Sequence, residues 1–72
     1  MTQNLKLSET VGKNLKKLIK QSKYKTQERF ATEGMNVDAV TVRRWISKGV
    51  KDIDTIVEIA RVLEINYLEL LL

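Results

Sequence analysis

The side chains able to do chemistry in this 72-residue chain are nearly all ionic: thirteen lysines and arginines against nine aspartates and glutamates, with no histidine and no cysteine. Residues 1–51 hold twelve of the basic groups and four of the acids, whereas residues 52–72 hold one and five, so a segment of net charge +8 is followed by one of −4. Such segregation suits one surface to a polyanion, because cations that neutralise phosphates release condensed counterions and so drive binding. The plain alternative is lysines solvated on ordinary helices. Other chemistry lacks its residues. Acid–base and nucleophilic catalysis have no histidine or cysteine, no glycine-rich loop cradles a phosphate, and no carboxylates pair at inward-facing spacing, so an enzyme is not expected. Without cysteine there is neither a disulfide framework nor a thiolate zinc site; no cofactor or small-molecule ligand is implied, and the expected address is the reducing cytoplasm. MTQNLKL lacks the apolar stretch and cleavage site of a signal peptide, and no apolar run approaches the roughly 20 residues that span a bilayer, so no membrane partner is expected.

The elements that must carry these charges are helices. Proline is absent, glycine occurs only at 12, 34 and 49, and β-branched residues recur at helical rather than alternating intervals. A chain this short has room for one core. Val11, Leu15, Leu18 and Ile19 form the apolar stripe of a first helix, Ser8 to Ser22, with Lys13, Lys16, Lys17 and Lys20 on its other faces. Ser8 can cap it and Glu9 suits the positive end of its dipole. Gly12 costs about 1 kcal/mol relative to alanine in a helix, which points to close backbone packing. Residues 1–7 read as a loose arm and 8–72 as one domain. Thr26 is an N-cap for a short helix, Gln27 to Glu33, that offers Phe30 and Ala31 to the core before Gly34 stops it. Asp38 caps a third helix, Ala39 to Ser47, with Val42, Trp45 and Ile46 on one side, Thr41, Arg44 and Lys48 on another, Arg43 at the boundary and Gly49 after its end. Asp52 caps a fourth, with Ile53, Ile56, Val57, Ala60 and Leu63 as its stripe, and Asn66 caps a last turn with Glu69 at the capping-box position. The expectation is an all-α, compact five-helix domain without internal repeats.

Two short helices joined by a tight turn, the second opening with small residues and carrying arginines, resemble the helix-turn-helix of the phage-repressor and Cro-like (XRE-type) transcription regulators. Thr26, Gln27, Phe30 and Ala31 look like the Thr/Ser-Gln pair, apolar residue and alanine of that family's second helix. DAVTVRRWISKG is similar to its third helix, and IDTIVEIARVLEINYLELL to its closing segment. The resemblance covers nearly the whole chain and implies a lambda-repressor-like domain binding double-stranded DNA in a phage or bacterial repressor-like regulator. The chain also departs from the family. From Ala31 to Trp45 it is one residue longer, which predicts an enlarged turn at Gly34, Met35, Asn36 and Val37. The loop from Gly49 to Asp52 is about two residues short and lacks the family's proline. Where many relatives pair an arginine of helix one with a glutamate of helix three, this chain has Lys20 and Ile46, so Lys20 is free to face phosphate and Ile46 adds to the core.

By match to the family, Ala39, Val40, Arg43 and Arg44 on the first turns of the third helix are the residues expected at base edges. Arginine's planar fork can donate bidentately to guanine O6 and N7, whereas Ala39 or Val40 could touch a thymine methyl. The bland reading has the arginines gripping phosphate or pairing with Glu33 or Asp38. Gln27 resembles a phosphate-binding family residue, helped by the N–H groups at the helix start around Thr26, and Lys23, Lys25, Lys48 and Lys51 are further phosphate candidates beside simple solvation. Trp45 could stack on a base, but single-strand binders usually present several aromatics, and its neighbours Val42 and Ile46 favour the core. Val62, Ile65, Tyr67, Leu70 and Leu72 exceed what one stripe can bury alongside Leu63, Leu68 and Leu71. They are the expected dimer interface, since the family often pairs two copies on DNA through its last helices; otherwise they meet a further domain of a longer chain. A competing reading is an antitoxin-like or antirepressor protein-interaction module working through this apolar tail. An excisionase-like winged fold also contains a segment like TVRRWISKG, but the wing needs a β-hairpin where IDTIVEIARVLE is helical in period.

Overall fold

The computed structural model describes residues 7–72; the expected arm therefore lies outside the described residues, apart from Leu7, which opens the first helix. α1 runs Leu7–Gln21 and buries Val11, Leu15 and Ile19 on one stripe. Ser22 lies just past it, where its hydroxyl donates to the Ile19 carbonyl at 2.6 Å and satisfies one of the last turn's free acceptors. Tyr24 then turns inward and meets Phe30 edge to face, ring centroids 5.7 Å apart.

α2 (Gln27–Arg29) starts at Thr26, whose Oγ1 accepts the Arg29 N–H at 3.1 Å, and passes directly into a π-helical segment, Phe30–Met35. Gly34 is inside that segment and does not end it. The stop is Asn36, left-handed at φ 59°, a conformation that asparagine tolerates better than most residues. The Asn36 and Val37 N–H groups both donate to the Ala31 carbonyl, the latter at 2.8 Å. In place of the enlarged turn expected at Gly34, Met35, Asn36 and Val37, the chain winds as a wider helix over Phe30–Met35, and the link to the next element is short. Gly34 is small for packing reasons, since a Cβ there would meet Val62 Cγ1 at 2.9 Å and Tyr24 Cζ at 3.0 Å.

α3 (Ala39–Lys48) follows Asp38, which sits at the cap position with its carbonyl accepting the Thr41 N–H at 3.0 Å, although its carboxylate makes no capping bond. Gly49, at φ 93°, ends the helix, and a Cβ there would run into the Ser8 carbonyl. Val50, buried, donates its N–H to that same Ser8 oxygen and ties the end of α3 to the start of α1. α4 (Ile53–Leu63) is capped by Asp52, whose carboxylate accepts the Asp54 N–H and the Thr55 hydroxyl. Its buried stripe is Ile56, Ile59, Ala60 and Leu63. Ile53 and Val57, expected in that stripe, are exposed: at 100° per residue both fall beyond Ala60 at the helix flank, while Ile59 falls inside. α4 ends at left-handed Glu64, with the Ile65 N–H returning to the Ala60 carbonyl at 3.0 Å. Asn66 then caps α5 (Leu68–Leu71), its Oδ1 accepting the Leu68 N–H at 2.9 Å.

α1 is the centre of the domain, with α3 packed on one side and α5 on another, while α4 closes over the π segment. Asn14 Nδ2 donates to the Leu70 carbonyl at 2.8 Å, and Leu70 is fully buried. This corrects its expected place at a dimer interface: the last turn folds back on α1 and spends Leu70 on the core of its own chain. The fold is all-α with five helices and, among the described residues, no strand. No helix among the described residues is long and apolar enough to cross a membrane.

Candidate nucleic-acid interface

The geometry of the basic face begins with Gly12. A Cβ at that position would stand 2.7 Å from both the Trp45 and Ile46 carbonyl oxygens, so α1 and α3 cross with backbone against backbone. Residues four and eight places on, Lys16 and Lys20, share Gly12's side of α1. Lys16 consequently stands in a groove with Val40, Arg43, Arg44, Ile46, Ser47 and Lys48 of α3 and Gln27 of α2. A second depression shares Lys16 and Gln27 and continues past Lys20, Lys25, Thr26 and Glu28. Half-buried Gln27 is the hinge point of this continuous surface.

The expected site residues divide. Val40, Arg43, Arg44 and Lys48 line one groove, and Lys25, Thr26 and Gln27 the adjoining one. Val40 is 54 % exposed, an apolar patch between cations, while Ala39 is half-buried and packs against the core, so its methyl is turned largely away from the face. Trp45 and Ile46 also pack against the core. Lys23 is drawn elsewhere: its Nζ lies 3.7 Å from the Glu64 carboxylate and 5.5 Å from the centre of the Tyr24 ring, beside the end of α4. Lys51 lines a separate hollow with Leu7, Val50 and Ile53. Neither lines the two grooves.

Arg43 is paired, but with Glu28 of α2, Nη1 to Oε2 at 3.3 Å, rather than with Glu33 or Asp38. Glu33 takes Arg29 instead, also at 3.3 Å. Both pairs are solvent-exposed, and such pairs are worth about 0–1 kcal/mol. Lys16, Lys20, Lys25, Arg44 and Lys48 have no carboxylate partner among the described residues. Away from this face, the Arg61 guanidinium hydrogen-bonds Glu58 and holds its carboxyl below the ordinary value, while the same bond raises Arg61's own value.

Lys16 is the residue that reading the sequence for a site missed. The signal was present in the spacing Gly12, Lys16, Lys20: a glycine marking close approach to another helix also marks the side of α1 on which later residues face that helix. The apolar tail divides as well. Tyr67 and Leu72 are exposed, the latter at 90 %, whereas Val62 and Ile65 are half-buried and pack against the core. Ile53, Val57 and Leu68 add to the exposed apolar surface of α4 and α5. No protein-family model matches the chain, and neither a curated protein nor a solved structure matches it. Fold and surface define a small all-α domain carrying one basic face.

Proposed function

We propose that this chain binds double-stranded DNA with α3 as the recognition helix and acts as a transcription regulator of the phage-repressor and Cro-like kind. The observation that carries the reading is the convergence of Lys16 and Lys20 from α1, Lys25 ahead of α2, and Arg44 and Lys48 from α3 on adjoining grooves, all without carboxylate partners among the described residues. Cations collected from three elements around an exposed helix suit a phosphate backbone flanking a groove that the helix enters. Duplex affinity then falls steeply with salt, log–log, with a slope near −0.9 per phosphate neutralised. Lys48→Ala weakens binding to every sequence alike and reduces that slope by about one. Duplex binding independent of salt, or unchanged in Lys48→Ala and Lys16→Ala together, refutes the docking.

The exposed Val57, Tyr67 and Leu72 favour a second copy of the chain as the partner of the α4–α5 face, bringing two recognition helices to neighbouring turns of DNA. Sedimentation equilibrium with and without a Tyr67→Glu, Leu72→Glu variant checks this. The same surface supports the alternative of an antitoxin or antirepressor interaction module. Nanomolar binding of another protein with no measurable duplex binding decides for that alternative.

A further inference from the structure

The two adjacent arginines of α3 are in different electrostatic situations, and this carries further than their shared residue type. Arg43 reaches back across 15 residues to Glu28 on α2 and makes both an ion pair and a hydrogen bond there, Nη1 to Oε2 at 3.3 Å. Arg44 has no such partner among the described residues and shares its groove with Val40, four residues earlier on the same helix. Four residues of α-helix rise about 6 Å, less than two base-pair steps of 3.4 Å. A helix entering the major groove would therefore bring an apolar methyl-seeking side chain and an unpaired guanidinium to base pairs that are neighbours or next neighbours.

We propose, resting on the duplex-binding reading above, that Val40 and Arg44 read a thymine and a guanine within two base-pair steps of each other, while Arg43 is a positioning residue that braces α3 on α2 through Glu28. Arginine offers its fork to guanine O6 and N7, and an aliphatic side chain in the major groove finds its apolar contact in the thymine C5-methyl. Arg43 can bring Nη1 to a base edge only by giving up its bond to Glu28, which would leave that carboxylate without its partner beside the phosphate-rich strand. Lys16 and Lys48, standing on the groove beside this pair, take phosphates and carry no preference for sequence.

The test selects duplexes from random DNA with the full chain and measures affinity by fluorescence anisotropy. Each thymine of the selected duplex is then replaced in turn by uracil, which lacks the methyl, and each guanine by 7-deazaguanine, which lacks N7. The wild-type chain loses about three- to fourfold at one uracil, the worth of one buried methyl. It loses about 5- to 150-fold at one mutated guanine, with the 7-deaza replacement in the lower part of that range. The two positions lie within two steps. Val40→Ala abolishes the uracil effect alone, Arg44→Ala abolishes the guanine effect alone, and Arg43→Ala lowers affinity for selected and random duplexes by one common factor. Glu28→Gln leaves the base preference unchanged. A preference lost in Arg43→Ala, a new one gained in Glu28→Gln, or uracil tolerated everywhere by the wild type overturns the proposal. Salt-dependent duplex binding with no selected sequence overturns it while leaving the duplex-binding reading intact; no duplex binding at any salt overturns both.

Discussion

Gly12→Ala should loosen the domain even though alanine is the better helix former. In a solvated helix the substitution would stabilise by about 1 kcal/mol. Here the new Cβ would lie 2.7 Å from two backbone carbonyl oxygens, those of Trp45 and Ile46, and each would have to retreat by roughly 0.7 Å to reach the 3.4 Å of ordinary contact. Neither oxygen is the end of a side chain that can rotate away; both belong to α3, which must move as a body. Overpacking of this kind costs about 1–3 kcal/mol, and rigid backbone on the receiving side puts this case at the upper end. Set against the propensity gain, the net loss is about 2 kcal/mol, from a total that for a domain of this length is about 4–11 kcal/mol. The melting temperature should fall by about 8–16 °C. Urea and thermal unfolding followed by circular dichroism at 222 nm measure both quantities, with Lys17→Ala, exposed on the same helix, as a control expected within about 0.5 kcal/mol of the parent. A Gly12→Ala chain as stable as the parent, or more stable, would refute the backbone-to-backbone crossing of α1 and α3 and with it the placement of Lys16 in the groove.

Leu70→Ala empties a fully buried site and should cost about 2–5 kcal/mol, while Leu72→Ala, two residues later and 90 % exposed, should change stability by less than about 0.5 kcal/mol; thermal melts of the pair distinguish a core role for α5 from a merely local one. Gly49→Ala strains a left-handed residue and drives its Cβ into the Ser8 carbonyl, so the unfolding midpoint in urea should fall with the m-value unchanged. Because Arg61 holds the Glu58 carboxyl below its ordinary value in the folded chain, the pair's stabilising effect is present at neutral pH and is lost as pH falls through that lowered value. In Arg61→Gln the Glu58 side-chain resonance, followed by NMR titration, should move at a higher pH than in the parent, and an unchanged titration would disprove the hydrogen bond.

Much of the helical framework was legible because its signals are local. Thr26, Asp52 and Asn66 cap where short oxygen-bearing side chains before apolar periods should, Gly49 ends α3, and Gly12 marks a close crossing before any partner for it is known. Readings that depended on the third dimension fared differently. Gly34 looks like a stop, but the helix continues through it as a π turn, with Gly34 packed closely against Val62 and Tyr24 and the left-handed residue two places on at Asn36. Ile53 and Val57 satisfy an apolar period yet face solvent, because which arc of α4 is covered depends on where the π segment lies against it. Leu70 reads as surplus in a tail rich in leucine and is core, since the last turn folds back onto α1 and is tied there by Asn14. At the candidate site the same boundary holds. Arg44, Lys48, Lys25 and Gln27 are found from type and position, whereas the capture of Arg43 by Glu28 and of Lys23 by Glu64 joins residues 15 and 41 apart in sequence and has no local trace.

The π segment also bears on how this chain tolerates changes of length. One residue added to an ordinary α-helix rotates everything beyond it by 100° and would turn a buried face to solvent. Between Phe30 and Met35 the wider turn takes up that residue without rotating its flanks, so Thr26 still caps upstream and Asn36 still reverses the chain downstream. Removing a single residue there would convert the wide turn to a regular one and leave the phase of α2 against α3 nearly unaltered. The segment is therefore an expansion joint, the place in the domain where a one-codon insertion or deletion can be carried with the least disturbance to the register of the elements on either side.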